Sequence, residues 1–183
     1  TSHIDERSAA FFALGISKKS NIPTVIISTS GTAVANFFPA IIESSLSKTP
    51  LIVMTADRPS YLVNTGENQT INQQNIFNNY VRKFEDIGLP NKKNKSMNNK
   101  ILSLFKAAIG TYEDPPGPVH INIPFEEPLI KNISNSNFKN SMNLDKKTFN
   151  PNYDDFITPD LNNSIIICGE IQECESSKKI LKL

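Results

Sequence analysis

An acidic pair, Asp5 and Glu6, lies in the stretch TSHIDERSAAFFALG, where a short polar segment meets an almost wholly apolar one. The ordinary explanation is an acid in the first turn of a helix, which the helix dipole stabilises by about 0.3–1 kcal/mol. Asp5 or Ser2 is expected to cap that helix. The alternative is a functional acid, because a carboxylate at the mouth of a hydrophobic region is costly to bury. Glu6 is therefore a candidate functional group.

The stretch STSGTA joins an apolar strand to a helix and concentrates hydroxyl and backbone N–H groups at one point. Such a turn suits an anion or the polar edge of a ligand, and its candidate residues are Thr29, Ser30, Gly31 and Thr32. The alternative is a capped helix start, with Ser30 or Thr32 as the N-cap. A phosphate-binding P-loop is excluded, because its lysine and its second glycine are missing.

Arg58 follows a second apolar strand, in TADRP. The carboxyl ends of strands line the ligand crevice of open parallel sheets, so Arg58 and residues 29–31 are expected at the same edge. A guanidinium there can bind a carboxylate through two parallel hydrogen bonds. The alternative is an ordinary surface ion pair, for instance with Asp57.

The remaining polar residues predict no metal site and no Ser-His-Asp triad. His3 and His120 have no partners at metal-ligand spacing, and His120 shares a strand face with Asn122, so a structural role is expected. The two cysteines, at 168 and 174, match no zinc pattern and are expected to be reduced thiols of a cytoplasmic protein.

The composition excludes two classes of partner. With 19 basic and 18 acidic residues the chain has no basic footprint for nucleic acid. No apolar run reaches the roughly 18–20 residues needed to span a bilayer. The chain begins with Thr1 and lacks the order of a signal peptide, so upstream residues are expected to be missing.

Short β-branched runs alternate with helical segments, which predicts an α/β fold: an open parallel sheet with helices on both faces. TVIISTS and LIVMTA are continuous apolar runs, so both strands are expected to be covered on two faces. FEDIGLP predicts a weaker edge strand, and PVHINIP a strand that ends at Pro124.

The first helix is expected to be buried on most sides, because apolar residues at helical spacing cover a wide face. Pro39 predicts a kink, or a helix that begins near Phe38. Helices are also expected at 73–80 and 98–112. The apolar residues of the first helix are Ala9, Ala10, Phe11, Phe12, Ala13, Leu14 and Ile16.

Four stretches, taken in order, resemble the pyrimidine-binding domain of thiamine-diphosphate enzymes: HIDERSAAFFALGISK, PTVIISTSGTAVANFFPAIIE, PLIVMTADRPSYLVNTGENQTINQ and GPVHINIPFEEPL. TSGTA, TADRP and NQTINQ together are similar to the 2-succinyl-5-enolpyruvyl-6-hydroxy-3-cyclohexene-1-carboxylate synthases (MenD) of menaquinone and phylloquinone synthesis. The resemblance implies an N-terminally incomplete pyrimidine-binding domain at 1–130, a linker at 131–162 and the truncated start of a central domain at 163–183.

The resemblance also implies roles for the candidate residues. Glu6 is expected to hydrogen-bond N1′ of the aminopyrimidine in a dry niche and so to promote loss of the thiazolium C2 proton. Residues 29–32 are implied as cofactor neighbours, and Arg58, Asn68 and Gln69 as substrate-binding residues. The implied reaction decarboxylates 2-oxoglutarate and adds the succinyl carbanion to isochorismate. Both substrates are dianions, which arginine suits.

The family's Mg²⁺ (or Mn²⁺) and diphosphate site uses a GDG…N motif of a C-terminal domain, and this sequence contains no GDG. The family's cofactor lies between subunits, so the resemblance implies a homodimer or homotetramer and an inactive isolated chain. Two alternatives stay open. One is an acetolactate-synthase-like thiamine-diphosphate decarboxylase, and the other is a non-enzymatic flavodoxin-like binding module.

Overall fold

The computed structural model describes residues 1–89, 96–111 and 113–129. The predicted linker at 131–162 and the predicted domain start at 163–183 lie outside the described residues. The helices are α1 (Glu6–Ser20), α2 (Thr32–Asn36), α3 (Phe38–Leu46) and α4 (Ser96–Ile109). The strands are β1 (Thr24–Ser28), β2 (Leu51–Asp57), β3 (Lys83–Asp86) and β4 (Pro118–Pro124).

The strands form one parallel sheet in the order β1-β2-β4-β3. Ser28 pairs with Thr55, and Asn122 pairs with both Thr55 and Asp86. All four carboxyl ends therefore lie along one edge of the sheet. The predictions of an open parallel sheet and of β3 as an edge strand are confirmed.

Helices cover both faces of the sheet, as predicted. The side chains of β2 alternate between the faces, so Val53 packs in the cluster that α1, α2 and α3 build. Its neighbours Ile52 and Met54 pack on the opposite face against the cluster that contains Leu104 and Ala108 of α4. This two-sided burial explains why β2 is an uninterrupted apolar run.

The prediction that a strand is covered on both faces is wrong for β1. Ile26 is buried, whereas Val25 and Ile27 on the other face are 48% and 73% exposed. The reason is the position of β1 at the edge of the sheet, because α4 packs mainly against β2, β3 and β4. One face of β1 therefore stays uncovered within the described residues.

The prediction that α1 is buried on most sides is also wrong. Its small residues Ala10 and Ala13 are buried, whereas Phe11, Phe12 and Ile16 are between 44% and 49% exposed. The small side chains let the helix approach the sheet closely. Leu14 is buried as well, and the other large apolar side chains remain outside. The predicted cap is confirmed, since the backbone N–H of Ser8 donates to the Asp5 carboxylate at 2.7 Å.

Two further helix predictions have different outcomes. The break before Pro39 is confirmed, because α2 ends at Asn36 and α3 begins at Phe38. The helix predicted at 73–80 is wrong, since that segment forms turns and ends in the 3₁₀ turn Asn78–Tyr80. Positive φ angles of 52° and 46° at Asn75 and Asn78 are incompatible with a continuous right-handed helix.

Candidate active site

Glu6 lies in the first turn of α1, which precedes β1 and packs against it. Since α1 ends where β1 begins, its first turn lies toward the carboxyl edge of the sheet. The amide of Asn36 in α2 donates to Glu6 Oε2 at 3.1 Å, and Oε1 has no hydrogen-bond partner among the described residues. Glu6 therefore lies toward the edge of the sheet at which the strands end.

The dry niche expected around Glu6 is not formed by the described residues. The side chain of Glu6 is half-buried. The apolar wall expected from α1 is missing, because Phe11, Phe12 and Ile16 are themselves exposed. A niche of low dielectric constant at Glu6 therefore requires surface that these residues do not supply.

The turn at 29–31 is bound to Gln69, as the shared edge requires. Gln69 Nε2 donates to Thr29 Oγ1 at 2.9 Å and to the Ser30 carbonyl at 3.1 Å. The Ser30 hydroxyl donates in return to the Gln69 carbonyl at 2.9 Å. Gly31 has φ +79°, and a Cβ there would lie 3.0 Å from Gln69 Cγ. Glycine therefore permits both the turn and the close approach of Gln69.

The expected N-cap of α2 is corrected, and one expected donor of the turn is already engaged. Gly31, rather than Ser30 or Thr32, occupies the N-cap of α2, because the Ser30 hydroxyl is engaged by Gln69 and Thr32 is already helical. The Gly31 N–H donates to Gln73 Oε1 at 2.8 Å, so it is not available to an anion. Thr29 and Thr32 are exposed.

Arg58 leaves β2 at the border of a cleft of about 550 Å³, which Asp57, Tyr61, Gln73 and Asp86 also line. Its Nη1 lies 3.8 Å from Glu127 Oε1, but the Glu127 side chain is 78% exposed, so this ion pair is weak. Arg58 Nε is buried and has no hydrogen-bond partner among the described residues. The guanidinium therefore retains an unused donor.

Asn68 is exposed, and its backbone N–H donates to Glu67 Oε1 at 3.2 Å. No described hydrogen bond connects its side chain to Arg58 or to the turn at 29–31. Of the three predicted substrate residues, Gln69 reaches that turn and Arg58 borders the cleft. Asn68 does neither.

A buried polar group that the sequence analysis did not select lies beneath this edge. Asn122 Nδ2 donates to Asp57 Oδ2 at 2.7 Å and to Asp86 Oδ2 at 3.1 Å. Burial raises the pKa of Asp57, and the hydrogen bonds from Asn122 and the Arg58 N–H oppose this. The available sequence signal was the position of Asp57, Asp86 and Asn122, each at or near the end of a strand.

His120 is fully buried in the same layer, as its expected structural role requires. The Thr55 hydroxyl donates to Asn122 Oδ1 at 2.9 Å, so His120 Nε2 must carry the proton it shares with Thr55 Oγ1 at 2.8 Å. His120 Nδ1 has no partner among the described residues. Burial lowers the pKa of His120 to about 4.

The described residues contain neither a metal-binding cluster nor a membrane-spanning helix. No group of three or more His, Cys, Asp or Glu side chains in that part of the chain could hold a metal ion. Likewise, no helix within it is long and apolar enough to cross a membrane.

Comparisons with known proteins agree with the fold. The family model "Thiamine pyrophosphate enzyme, N-terminal TPP binding domain" matches residues 1–76. Three relatives are named 2-succinyl-5-enolpyruvyl-6-hydroxy-3-cyclohexene-1-carboxylate synthase. The Bacillus pumilus protein is 40% identical over 98% of this chain, the Bacillus velezensis protein 49% over 74%, and the Chlorobium phaeobacteroides protein 51% over 68%.

The aligned regions make up 33%, 24% and 21% of these three relatives. The chain thus spans about a third or less of their length. The resemblance to a thiamine-diphosphate enzyme is confirmed, and nothing among the described residues favours a flavodoxin-like binding module. This chain is a homologue of the 2-succinyl-5-enolpyruvyl-6-hydroxy-3-cyclohexene-1-carboxylate synthases over most of its own length, and its residues 1–76 match the N-terminal domain of thiamine-pyrophosphate enzymes.

Proposed function

We propose that the complete protein is a thiamine-diphosphate-dependent transferase of menaquinone or phylloquinone synthesis. It decarboxylates 2-oxoglutarate and adds the succinyl group to isochorismate, giving 2-succinyl-5-enolpyruvyl-6-hydroxy-3-cyclohexene-1-carboxylate. The names of the relatives and the match to a thiamine-pyrophosphate-binding domain support this reaction. The proposal concerns the complete protein, because this chain spans only part of its relatives' length.

The position of Glu6 carries the proposal. Its half-buried carboxylate lies toward the carboxyl edge of the sheet, and Oε1 remains free among the described residues. A carboxyl group so placed can hydrogen-bond a ring nitrogen and exchange a proton with it, which fits the aminopyrimidine of thiamine diphosphate. When bound, this cofactor supplies the chemistry of decarboxylation and carbon–carbon bond formation. Asn36 orients Glu6 through Oε2.

The turn at 29–32 is proposed to lie beside the cofactor, with Gln69 holding Thr29 and Ser30 in place. Direct contacts are proposed for the exposed Thr29 and Thr32 side chains, because the Gly31 N–H is engaged elsewhere. Gly31 contributes through its backbone conformation.

Arg58 is proposed to bind a substrate carboxylate, since its buried Nε lacks a partner and the ion pair with Glu127 is easily displaced. Gln69 is proposed to contact substrate from the adjoining turn. Asn68 is retained as a proposed substrate-binding residue because it adjoins Gln69 in the ENQT segment.

Mg²⁺ or Mn²⁺ is proposed to bind outside this chain together with the cofactor diphosphate. A second subunit, in a homodimer or homotetramer, is proposed to complete the niche at Glu6, which agrees with the exposed apolar side chains of α1. The cytoplasm is the proposed compartment, and the pyrimidine-binding domain is proposed to occupy 1–130.

The experiment that tests this proposal is turnover of 2-oxoglutarate and isochorismate by the complete enzyme and by its Glu6→Gln variant. Loss of the proton-transferring carboxylate is expected to lower kcat by about 10²–10⁴-fold. Glu43→Gln is the matched control, because Glu43 is an exposed acid on α3. Product formed from pyruvate, and none from isochorismate, would instead identify an acetolactate-synthase-like enzyme. Equal activity of the Glu6→Gln and control variants would refute the role of Glu6.

A further inference from the structure

Gln73 is buried although its neighbours in the chain are exposed. Only 1% of its surface is accessible, whereas Asn72 and Gln74 on either side are exposed. Burying an amide without hydrogen bonds is costly, so the partners of Gln73 indicate why this side chain is held inside.

All of the strong hydrogen-bonding groups of the Gln73 side chain are used, and they reach three separate segments. Its Oε1 accepts from the Gly31 N–H at 2.8 Å. Its Nε2 donates to the Ala56 carbonyl at 3.0 Å and to Asn122 Oδ1 at 2.9 Å, which uses both amide hydrogens. One side chain therefore joins the β1–α2 turn to the carboxyl ends of β2 and β4.

The segments joined in this way carry the proposed cofactor-side and substrate-side groups. Gly31 belongs to the turn that Gln69 binds, and Ala56 precedes Arg58 by two residues. We infer that Gln73 is a positioning residue, which sets the distance between the turn at 29–31 and the guanidinium of Arg58. This inference rests on the proposed function, because Arg58 must bind substrate for its position to matter.

The control is a buried side chain, Ser17, whose hydrogen bonds connect two elements far from Arg58 and have a purely structural role. Ser17 is fully buried and joins α1 to the amino end of β1. The Thr24 N–H donates to Ser17 Oγ at 2.8 Å, and Ser17 Oγ donates to the Ile22 carbonyl at 2.9 Å. Its loss affects stability at the end of the sheet away from Arg58.

The test uses the complete enzyme with Gln73→Met, which keeps the length of the side chain and removes its hydrogen bonds. Gln73→Met and the control Ser17→Ala are each made in the unsubstituted enzyme and in Arg58→Ala. For each protein, kcat/KM for 2-oxoglutarate and isochorismate is measured, and the Kd of thiamine diphosphate is measured by calorimetry with Mg²⁺ present.

Gln73→Met is expected to lower kcat/KM by about tenfold or more when Arg58 is present, and by less than about threefold in Arg58→Ala. The Kd of thiamine diphosphate is expected to rise by about threefold or more, because the turn at 29–31 loses its anchor. Ser17→Ala should have equal, small effects in both backgrounds. If Gln73→Met does not fold, Gln73→Glu is the second variant. It keeps the acceptor for the Gly31 N–H but loses both donors to the Ala56 carbonyl and Asn122, so the turn again loses its anchor to β2 and β4 and the same result is expected.

Equal effects of the Gln73 substitution in both backgrounds, or an unchanged Kd, would overturn this inference. Failure of the proposed function has a different signature, namely that the unsubstituted enzyme forms no product from the two substrates. Cofactor binding is measured without turnover, so it tests the role of Gln73 in either case.

Discussion

Replacing the buried His120 by phenylalanine is expected to reverse the order of stability of two proteins between neutral and acidic pH. Folding lowers the pKa of His120 from 6.5 to about 4, with burial as the main cause. The unfolded chain therefore binds the proton more tightly, and falling pH favours unfolding. The stabilising contribution of His120 is complete above about pH 6.5 and is lost as the pH falls toward 4.

The magnitude follows from that difference in pKa. Each pH unit between the two pKa values corresponds to about 1.36 kcal/mol, so the native protein loses about 2 kcal/mol by pH 5. Phenylalanine fits beside the rings of Phe77 and Phe84, whose centroids lie 4.8 and 5.1 Å from that of His120. At pH 7.5 the variant loses one hydrogen bond to Thr55, which costs about 1 kcal/mol. The variant is therefore less stable at pH 7.5 and more stable at pH 5.

The assay is urea unfolding of the 183-residue chain and of His120→Phe at several pH values. Burial raises the pKa of Asp57, so its contribution to stability decreases as pH rises. Both proteins contain Asp57, and its effect cancels in their difference. An NMR titration of the native histidine gives an independent measurement, with Nε2 expected to carry the proton. Parallel stability profiles, or a His120 pKa near 6.5, would refute the reasoning.

Two further substitutions test the proposed edge site in the complete enzyme. Arg58→Ala is expected to raise the free-energy barrier for one dianionic substrate by about 2–5 kcal/mol, measured from kcat/KM, and unchanged kinetics would remove Arg58 from the site. Gly31→Ala is expected to destabilise the fold by about 1–2 kcal/mol, because alanine is strained at φ +79°. It should also displace Gln69 and raise KM, and a crystal structure with the turn at 29–31 unmoved would contradict this.

The strands were the most predictable part of the fold. β4 is buried at almost every residue, and β2 is buried on one face and half-buried on the other. The apolar run of β2 is typical of a strand that lies inside a parallel sheet. β3 is short and half-buried, and its weaker pattern correctly predicted an edge position. The break at Pro39 was also predictable, because its cause is local.

The orientation of α1 could not be predicted, because apolar residues occur all around it. Which of them are buried depends on how closely the helix approaches the sheet, and here Ala10 and Ala13 allow that approach. Burial of β1 failed for a similar reason. Its sequence resembles that of a central strand, and only the order of strands in the sheet exposes Val25 and Ile27.

The position of Arg58 and of the turn at 29–31 at one edge of the sheet was predictable, because each directly follows a strand. Gln73 was missed, because a glutamine in the polar run NQTINQ is typical of a solvated loop. Its partners lie 42, 17 and 49 residues away, so no local pattern could identify it. The environment of Glu6 likewise depends on surface distant in the sequence.

The role of Glu6 is tested most directly by the exchange of the thiazolium C2 proton of thiamine diphosphate bound to the complete enzyme. The bound cofactor is incubated in D₂O without either substrate, the exchange is quenched after a set time, and NMR measures how much of the C2 proton remains. In Glu6→Gln the exchange rate is expected to fall by at least about 10²-fold while the cofactor stays bound. The same rate in Glu6→Gln as in the native enzyme would contradict proton transfer by Glu6.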